Sequence, residues 1–299
     1  MSNDSRFEAL DAWRGICAIL IVVFHFTSAI HCRAETSIFI GNAYLFVDFF
    51  FVLSGFVLCR CYRQKIADQG DLVRFAIKRF GRVWPLHAVV LVIFLVTIVT
   101  IGLLLHPKSL AMTWDDNDYS IHALVPEFLL LNSMGFLQGT VWNGPAWSIG
   151  AEFYTYLIFA LVVLFAGRRL VVPCLIISTA ALAFIFCRAP DLMNTTWDYG
   201  IVRCLAGFFG GVAAYHCFAP RGKSRFLRGT FLELGAVALV IVFIEYAGNG
   251  ADAVSAISLA APLVFGAVVV IFAREQGLLS LLLRARSFRA LGRYSFRST

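Results

Sequence analysis

Charge is scarce in this chain. Only 14% of its 299 residues are Asp, Glu, Lys or Arg, whereas 60% are hydrophobic and the mean hydropathy is +0.81. A soluble domain of this length cannot hide so much apolar surface in one core, so the chain must be solvated by lipid. Proline (8) and glycine (23) are too sparse for a collagenous or disordered chain. Metal-binding spacings are missing as well. The eight cysteines, Cys17, Cys32, Cys59, Cys61, Cys174, Cys187, Cys204 and Cys217, form no CxxC pair and sit mostly in apolar runs, so they read as reduced small hydrophobes. His31, His87, His106, His122 and His216 show no HExxH spacing, and no metal is predicted. The opening MSNDSRFEALDAWRG carries Asp4, Glu8 and Asp11 in place of a basic signal-peptide start, so the first apolar segment should be retained.

What is present is a series of membrane spans. A window of about 19 residues marks about eight segments able to cross a ~30 Å hydrocarbon core. They cover 12–30, 43–59, 84–105, 146–166, 170–187, 199–218, 230–247 and 255–273. A ninth stretch, 123–141, is interrupted by Pro126, Glu127, Asn132 and Gly135 and reads as re-entrant or interfacial. The expected fold is all-α, a polytopic transmembrane helix bundle forming a single membrane domain over residues 1–299.

Basic residues outnumber acidic ones 25 to 18, a net charge of +7. In a soluble protein that excess would suggest nucleic acid; here its placement reports topology. With the N-terminus cytoplasmic, the inner segments hold 21 of the 25 basic residues, while Arg33, Lys108 and Arg188 lie outside with the acidic Asp115, Asp116 and Asp118. No nucleic-acid partner is needed. The basic connector 60–83 should lie on the inner surface, with a helix capped by Asp71.

An ionisable group inside a span is expensive unless paired or hydrated, which makes Arg14, His25, Asp48, Glu152 and Arg203 the informative residues. Arg14 and His25 are eleven positions apart, three helical turns plus about 20°, so they share one face at ~16 Å separation. His25, Asp48, Glu152 and Arg203 all fall in the outer halves of their spans, a spacing suited to one polar chamber. On the inner side Arg79 and Arg82, three apart, could grip the phosphates of an anionic ligand, although basic residues beside a span commonly face lipid headgroups. Ser54 and Ser148 read as bonded to their own helix carbonyls. Gly55, Gly207, Gly210 and Gly211 read as helix-packing positions. Glu233 and Glu245 read as snorkelling to the interface.

Five ordered blocks carry a family likeness: RFEALDAWRGICAILIVVFHF, LFVDFFFVLSGFVLCRCY, RFAIKRFGRVWPLH, NGPAWSIGAEFYTYLIF and GIVRCLAGFFGGVAAY. In that order the chain resembles the acyltransferase 3 family of integral-membrane O-acyltransferases. The family's Arg-x10-His pattern falls on Arg14 and His25, its R-x-x-R on Arg79 and Arg82, and its W-S-x-x-x-E on Trp147, Ser148 and Glu152. Ala151 stands where the family often has a second acid. LGRYSFRST resembles a motif that members follow with at least one more helix, so the resemblance implies a domain truncated at its C-terminus.

The resemblance implies transfer of an acyl group, most often acetyl, from cytosolic acyl-CoA to a hydroxyl of a cell-envelope or exported glycan, or of a lipid-linked sugar. The setting would be the bacterial cytoplasmic (inner) membrane. No cofactor is held; acyl-CoA (acetyl-CoA) is a co-substrate, met by Arg14, Arg79 and Arg82. His25 is the expected general base, with Asp48 or Glu152 orienting it. Arg203, with Ser148 and Trp147, would face the substrate or the developing oxyanion. An acyl-His intermediate and direct transfer both fit. The competing readings are a transporter or channel lined by the same buried ionisable residues, and an inactive truncated relative.

Overall fold

The computed structural model describes residues 7–30, 37–105, 121–137, 139, 142–218, 226–248 and 253–285. Among these, the regular elements are helical. The α-helices of five residues or more are α1 (Glu8–Ile30), α2 (Phe46–Tyr62), α3 (Gln69–Leu105), α4 (Leu124–Phe128), α5 (Trp147–Ala166), α6 (Val171–Arg188), α7 (Gly200–Cys217), α8 (Phe226–Tyr246), α9 (Ala261–Phe272) and α10 (Leu278–Leu283). Seven helical stretches are long and apolar enough to cross a membrane, and an eighth, Ala256–Phe272, is shorter. The expected polytopic helical bundle is therefore what the chain forms. Residues 123–141 contain no spanning helix among those described, only a turn at Ile121–Ala123 and the single-turn α4. The LGRYSFRST segment lies outside the described residues, as do Arg33, Lys108, Asp115, Asp116 and Asp118.

Helix α3 departs from the expected boundaries. The connector helix and the third span are one continuous 37-residue helix running through Pro85. Proline removes a backbone donor and disfavours helix, but here the helix is tied on both sides of it. The Trp84 indole donates to the Phe128 carbonyl at 3.0 Å and His87 Nε2 donates to the Glu127 carbonyl at 2.8 Å. The cap also differs from expectation. Asp68 Oδ1 accepts from Asp71 N at 2.8 Å, and Asp71 Oδ2 accepts from Ala67 N at 3.1 Å. Asp68 is the cap, and Asp71, three residues on, closes the turn by accepting from the residue before the cap, one position short of a capping box.

Contacts gather the chain into two compact units. One comprises Met1–Arg63, Val171–Asn194 and Ala206–Thr299; the other comprises Gln64–Leu170 and Thr195–Leu205. In lipid, helices gain little from the hydrophobic effect and rely on close packing and buried polar ties. In the first unit Trp13 packs edge-on to Phe272 at 5.2 Å, and Phe49 and Phe243 meet Phe265 at 5.9 and 6.0 Å. Helices α2 and α7 approach so closely that a Cβ on Gly55 would collide with the Phe208 carbonyl and one on Gly211 with the Val52 carbonyl. The glycines thus serve packing, as the sequence suggested. Glu233 does not snorkel. It is 1% exposed and accepts from Gly277 N at 2.9 Å, Ser280 N at 3.0 Å and the Ser280 hydroxyl, satisfying the free N–H groups that open α10.

The second unit pairs α3 with α5 through Phe80–Phe153 and Phe75–Phe159. Helix α4 lies on α3, where Leu91, Val92, Leu95, Leu124, Phe128 and Leu129 line most of an apolar groove of about 370 Å³.

Candidate functional site

The first unit holds Arg14, His25 and Asp48. Helix α1 runs unbroken from Glu8 to Ile30, so the common face of Arg14 and His25 is realised. Arg14 is half-buried and lies 3.9 Å from Asp11. The His25 ring is exposed, and its Nδ1 bonds the Ile21 carbonyl at 2.8 Å. A carbonyl only accepts, so Nδ1 carries the proton and the neutral ring keeps its lone pair on Nε2. Backbone, one turn back on its own helix, thus fixes the tautomer. Asp48 is fully buried in the first turn of α2, where the helix dipole favours an anion.

The second unit holds the remaining predicted residues. Arg79 is buried, its guanidinium 5.4 Å from the Phe75 ring and 5.5 Å from the Tyr156 ring; Arg82 is half-buried. Trp147 opens α5 and its ring lies 5.2 Å from the guanidinium of Arg203. Arg203 is 0% exposed and donates to the Thr195 carbonyl at 3.3 Å. Burying a guanidinium this far requires stacking and hydrogen bonding to replace its water. The Ser148 hydroxyl donates to the Pro145 carbonyl at 3.2 Å, as a serine opening a helix does. Glu152 is half-buried one turn into α5.

Arg203 and Trp147 are therefore brought together, and Arg79 is set on α5 through Tyr156. Their unit also contains buried polar residues outside the expected site. Glu127 is 1% exposed, Asn132 4% and Ser133 0%. Asn132 Nδ2 donates to Glu127 Oε2 at 3.1 Å, and burial pushes the Glu127 carboxyl up to about 8. A carboxylate inside an apolar run was the available signal. In the sequence Glu127 registers only as an interruption of the 123–141 stretch, which as a ninth span would break the inside–outside charge pattern. Among the described residues no cluster of His, Cys, Asp and Glu has the makings of a metal site.

The sequence pattern of the acyltransferase domain of the acyltransferase 3 family matches residues 7–296. The chain is 32% identical over 176 residues to "Protein 2 in picA locus" of Rhizobium radiobacter, covering 53% of this chain and 83% of that protein. It is 37% identical over 119 residues to "Acyltransferase MdmB" of Streptomyces mycarofaciens, covering 38% of this chain but only 27% of that protein. No solved structure matches it. With a match running from the start of α1 to three residues short of Thr299, the chain is an integral membrane protein belonging to the acyltransferase 3 family.

Proposed function

We propose that this protein transfers an acyl group, acetyl in the first instance, from cytosolic acyl-CoA to a hydroxyl of a cell-envelope or exported glycan or of a lipid-linked sugar, in a bacterial inner membrane. The observation that carries the reading is the state of His25: an exposed imidazole whose Nδ1–H is held by the Ile21 carbonyl, on the face of α1 that also bears Arg14. Nε2 is then the basic atom. It takes the proton of the acceptor hydroxyl as that oxygen attacks the thioester carbonyl, and the imidazolium returns the proton to the departing CoA sulfur. Direct transfer needs no covalent enzyme intermediate.

The other side chains follow from where charge develops. Arg14, Arg79 and Arg82 stand toward the basic ends of their helices, where a polyanionic donor would meet them. Arg203, desolvated on Trp147, suits stabilisation of the oxyanion of the tetrahedral intermediate, since a fixed cation acts most strongly out of water. Asp48 supplies negative charge within the unit that carries His25, and Glu152 within the unit that carries Arg203. His25, Asp48, Glu152 and Arg203 each lie within about six residues, ~9 Å, of one end of their helices. With alternating spans and a cytoplasmic N-terminus, all four ends face outward, toward an exported acceptor.

The test supplies radiolabelled acetyl-CoA to inverted vesicles and follows label into the glycan fraction. His25→Ala and His25→Gln, at matched expression, should each lose at least about 100-fold in rate, the usual worth of a general base. Wild-type transfer by either variant would overturn the assignment, and ion flux indifferent to acetyl-CoA would replace the enzyme with a transporter.

A further inference from the structure

The segment 127–135 takes no part in the steps above, yet it is tied to α3, α5 and α7. On the α3 side it is held by His87 Nε2, donating to the Glu127 carbonyl at 2.8 Å, and by Trp84, donating to the Phe128 carbonyl at 3.0 Å. On the α5 side the Tyr154 hydroxyl donates to the Leu129 carbonyl at 2.8 Å. Gly150 fits so closely that a Cβ there would come within 2.5 Å of both the Leu130 carbonyl and Asn132 Oδ1. Toward α7, Ile201 N donates to the Ser133 carbonyl at 3.1 Å, and Gly135 N donates to the Trp197 carbonyl at 2.9 Å. The turn thus touches α5 two residues before Glu152 and α7 two residues before Arg203.

One side chain ties this segment to itself. Glu127 Oε2 accepts from Asn132 Nδ2 and so closes the loop through Leu130, a non-glycine residue held at φ 62°. A left-handed leucine persists only where its surroundings impose it. The closing pair is buried, and Ser133 Oγ, Asn132 Oδ1 and His87 Nδ1 are also buried with no hydrogen-bond partner among the described residues. Losing the internal bond of such a loop leaves two more buried polar groups to be satisfied.

We infer that Glu127 is a positioning residue for acyl transfer: through Asn132 its carboxyl holds the 129–135 turn against Gly150 and Ile201, and so fixes the side chains of Glu152 and Arg203. This rests on the reading that Glu152 and Arg203 serve the reaction. Burial raises the Glu127 carboxyl to about 8, so it is uncharged at neutral pH. The titratable groups whose side chains bond the same segment are His87 of α3 and Tyr154 of α5; on the α7 side Asp198 accepts from Thr195 and Thr196, Tyr199 donates its N–H to Thr195, and Arg203 lies over Trp147 and donates to the Thr195 carbonyl. Raising the pH past about 8 should therefore charge Glu127 and loosen the turn.

The experiment measures kcat and KM for acetyl-CoA between pH 6 and 9.5 on full-length protein in proteoliposomes, for wild type, Glu127→Gln and Glu127→Ala. Glutamine keeps an uncharged oxygen for Asn132. It should retain kcat at pH 7 within about threefold and lack the alkaline decline expected of wild type near pH 8, whereas alanine should lose at least about tenfold in kcat with KM unchanged. Wild-type kinetics and pH profile in Glu127→Ala would overturn the inference. So would a Glu127→Gln variant as impaired as alanine with its alkaline limb intact. Wild type without any transfer, or Glu152→Gln and Arg203→Lys without effect, would instead sink the underlying reading of the site.

Discussion

At the level of single residues, buried carboxylates divide by what they accept. Glu233 takes three hydrogen bonds from the start of α10, and truncating it leaves Gly277 N, Ser280 N and the Ser280 hydroxyl buried without partners. Glu233→Ala should therefore cost about 2–4 kcal/mol, read as a lowered thermal midpoint in detergent, while Glu233→Gln, which still accepts, should recover part of that. The partners of Glu233 lie 44 and 47 positions downstream, beyond anything a local pattern can see, so its role was not legible in the sequence. The Arg14 and His25 pairing was legible, because helical periodicity places both on one face before any packing is known. Arg203 was visible for its cost in lipid, but its aromatic seat on Trp147 required the fold. There the flat guanidinium matters as much as the charge: Arg203→Lys keeps the cation and loses the stacking and the fork. Its expected outcome is a fall in kcat of at least about tenfold with little change in thermal midpoint, measured on the same membranes.

At the level of helices, the glycines of α2 and α7 show how packing replaces the hydrophobic effect in lipid. Adding one methyl at Gly55 or Gly211 drives it into backbone that cannot move without separating the two helices. Gly55→Ala and Gly211→Ala should each destabilise by about 1–3 kcal/mol, as overpacking does. Gly81→Ala is the contrast, since nothing lies within 4 Å of a Cβ there and alanine is the better helix former by about 1 kcal/mol. Its thermal midpoint should hold or rise. Helix count and helix positions were readable because a hydrophobic run of fixed length is forced by the bilayer. Two things were not. The union of the connector with the third span across Pro85 depends on tertiary bonds from Trp84 and His87, and the importance of residues 127–135 depends on a buried pair, Glu127 with Asn132, whose members a hydropathy window registers only as interruptions.

For the molecule as a whole, orientation is the property on which the proposed reaction turns, because that reaction takes its donor from one side of the membrane and its acceptor from the other. The chain carries its own reporters. Cys187 ends α6 beside Arg188, and Cys217 ends α7; both thiols are exposed. Successive antiparallel crossings put these two helix ends on opposite faces, and the 21 basic residues in the inner segments read from the sequence put Cys217 on the cytoplasmic face and Cys187 on the outer one. A membrane-impermeant maleimide should then label Cys187 in intact cells and Cys217 only in inverted vesicles, with Cys187→Ser and Cys217→Ser variants assigning each band. The reverse pattern would turn the molecule over. The proposed reaction would then fail on its geometry, with Arg14, Arg79 and Arg82 turned away from a cytosolic donor and His25 turned away from an exported acceptor.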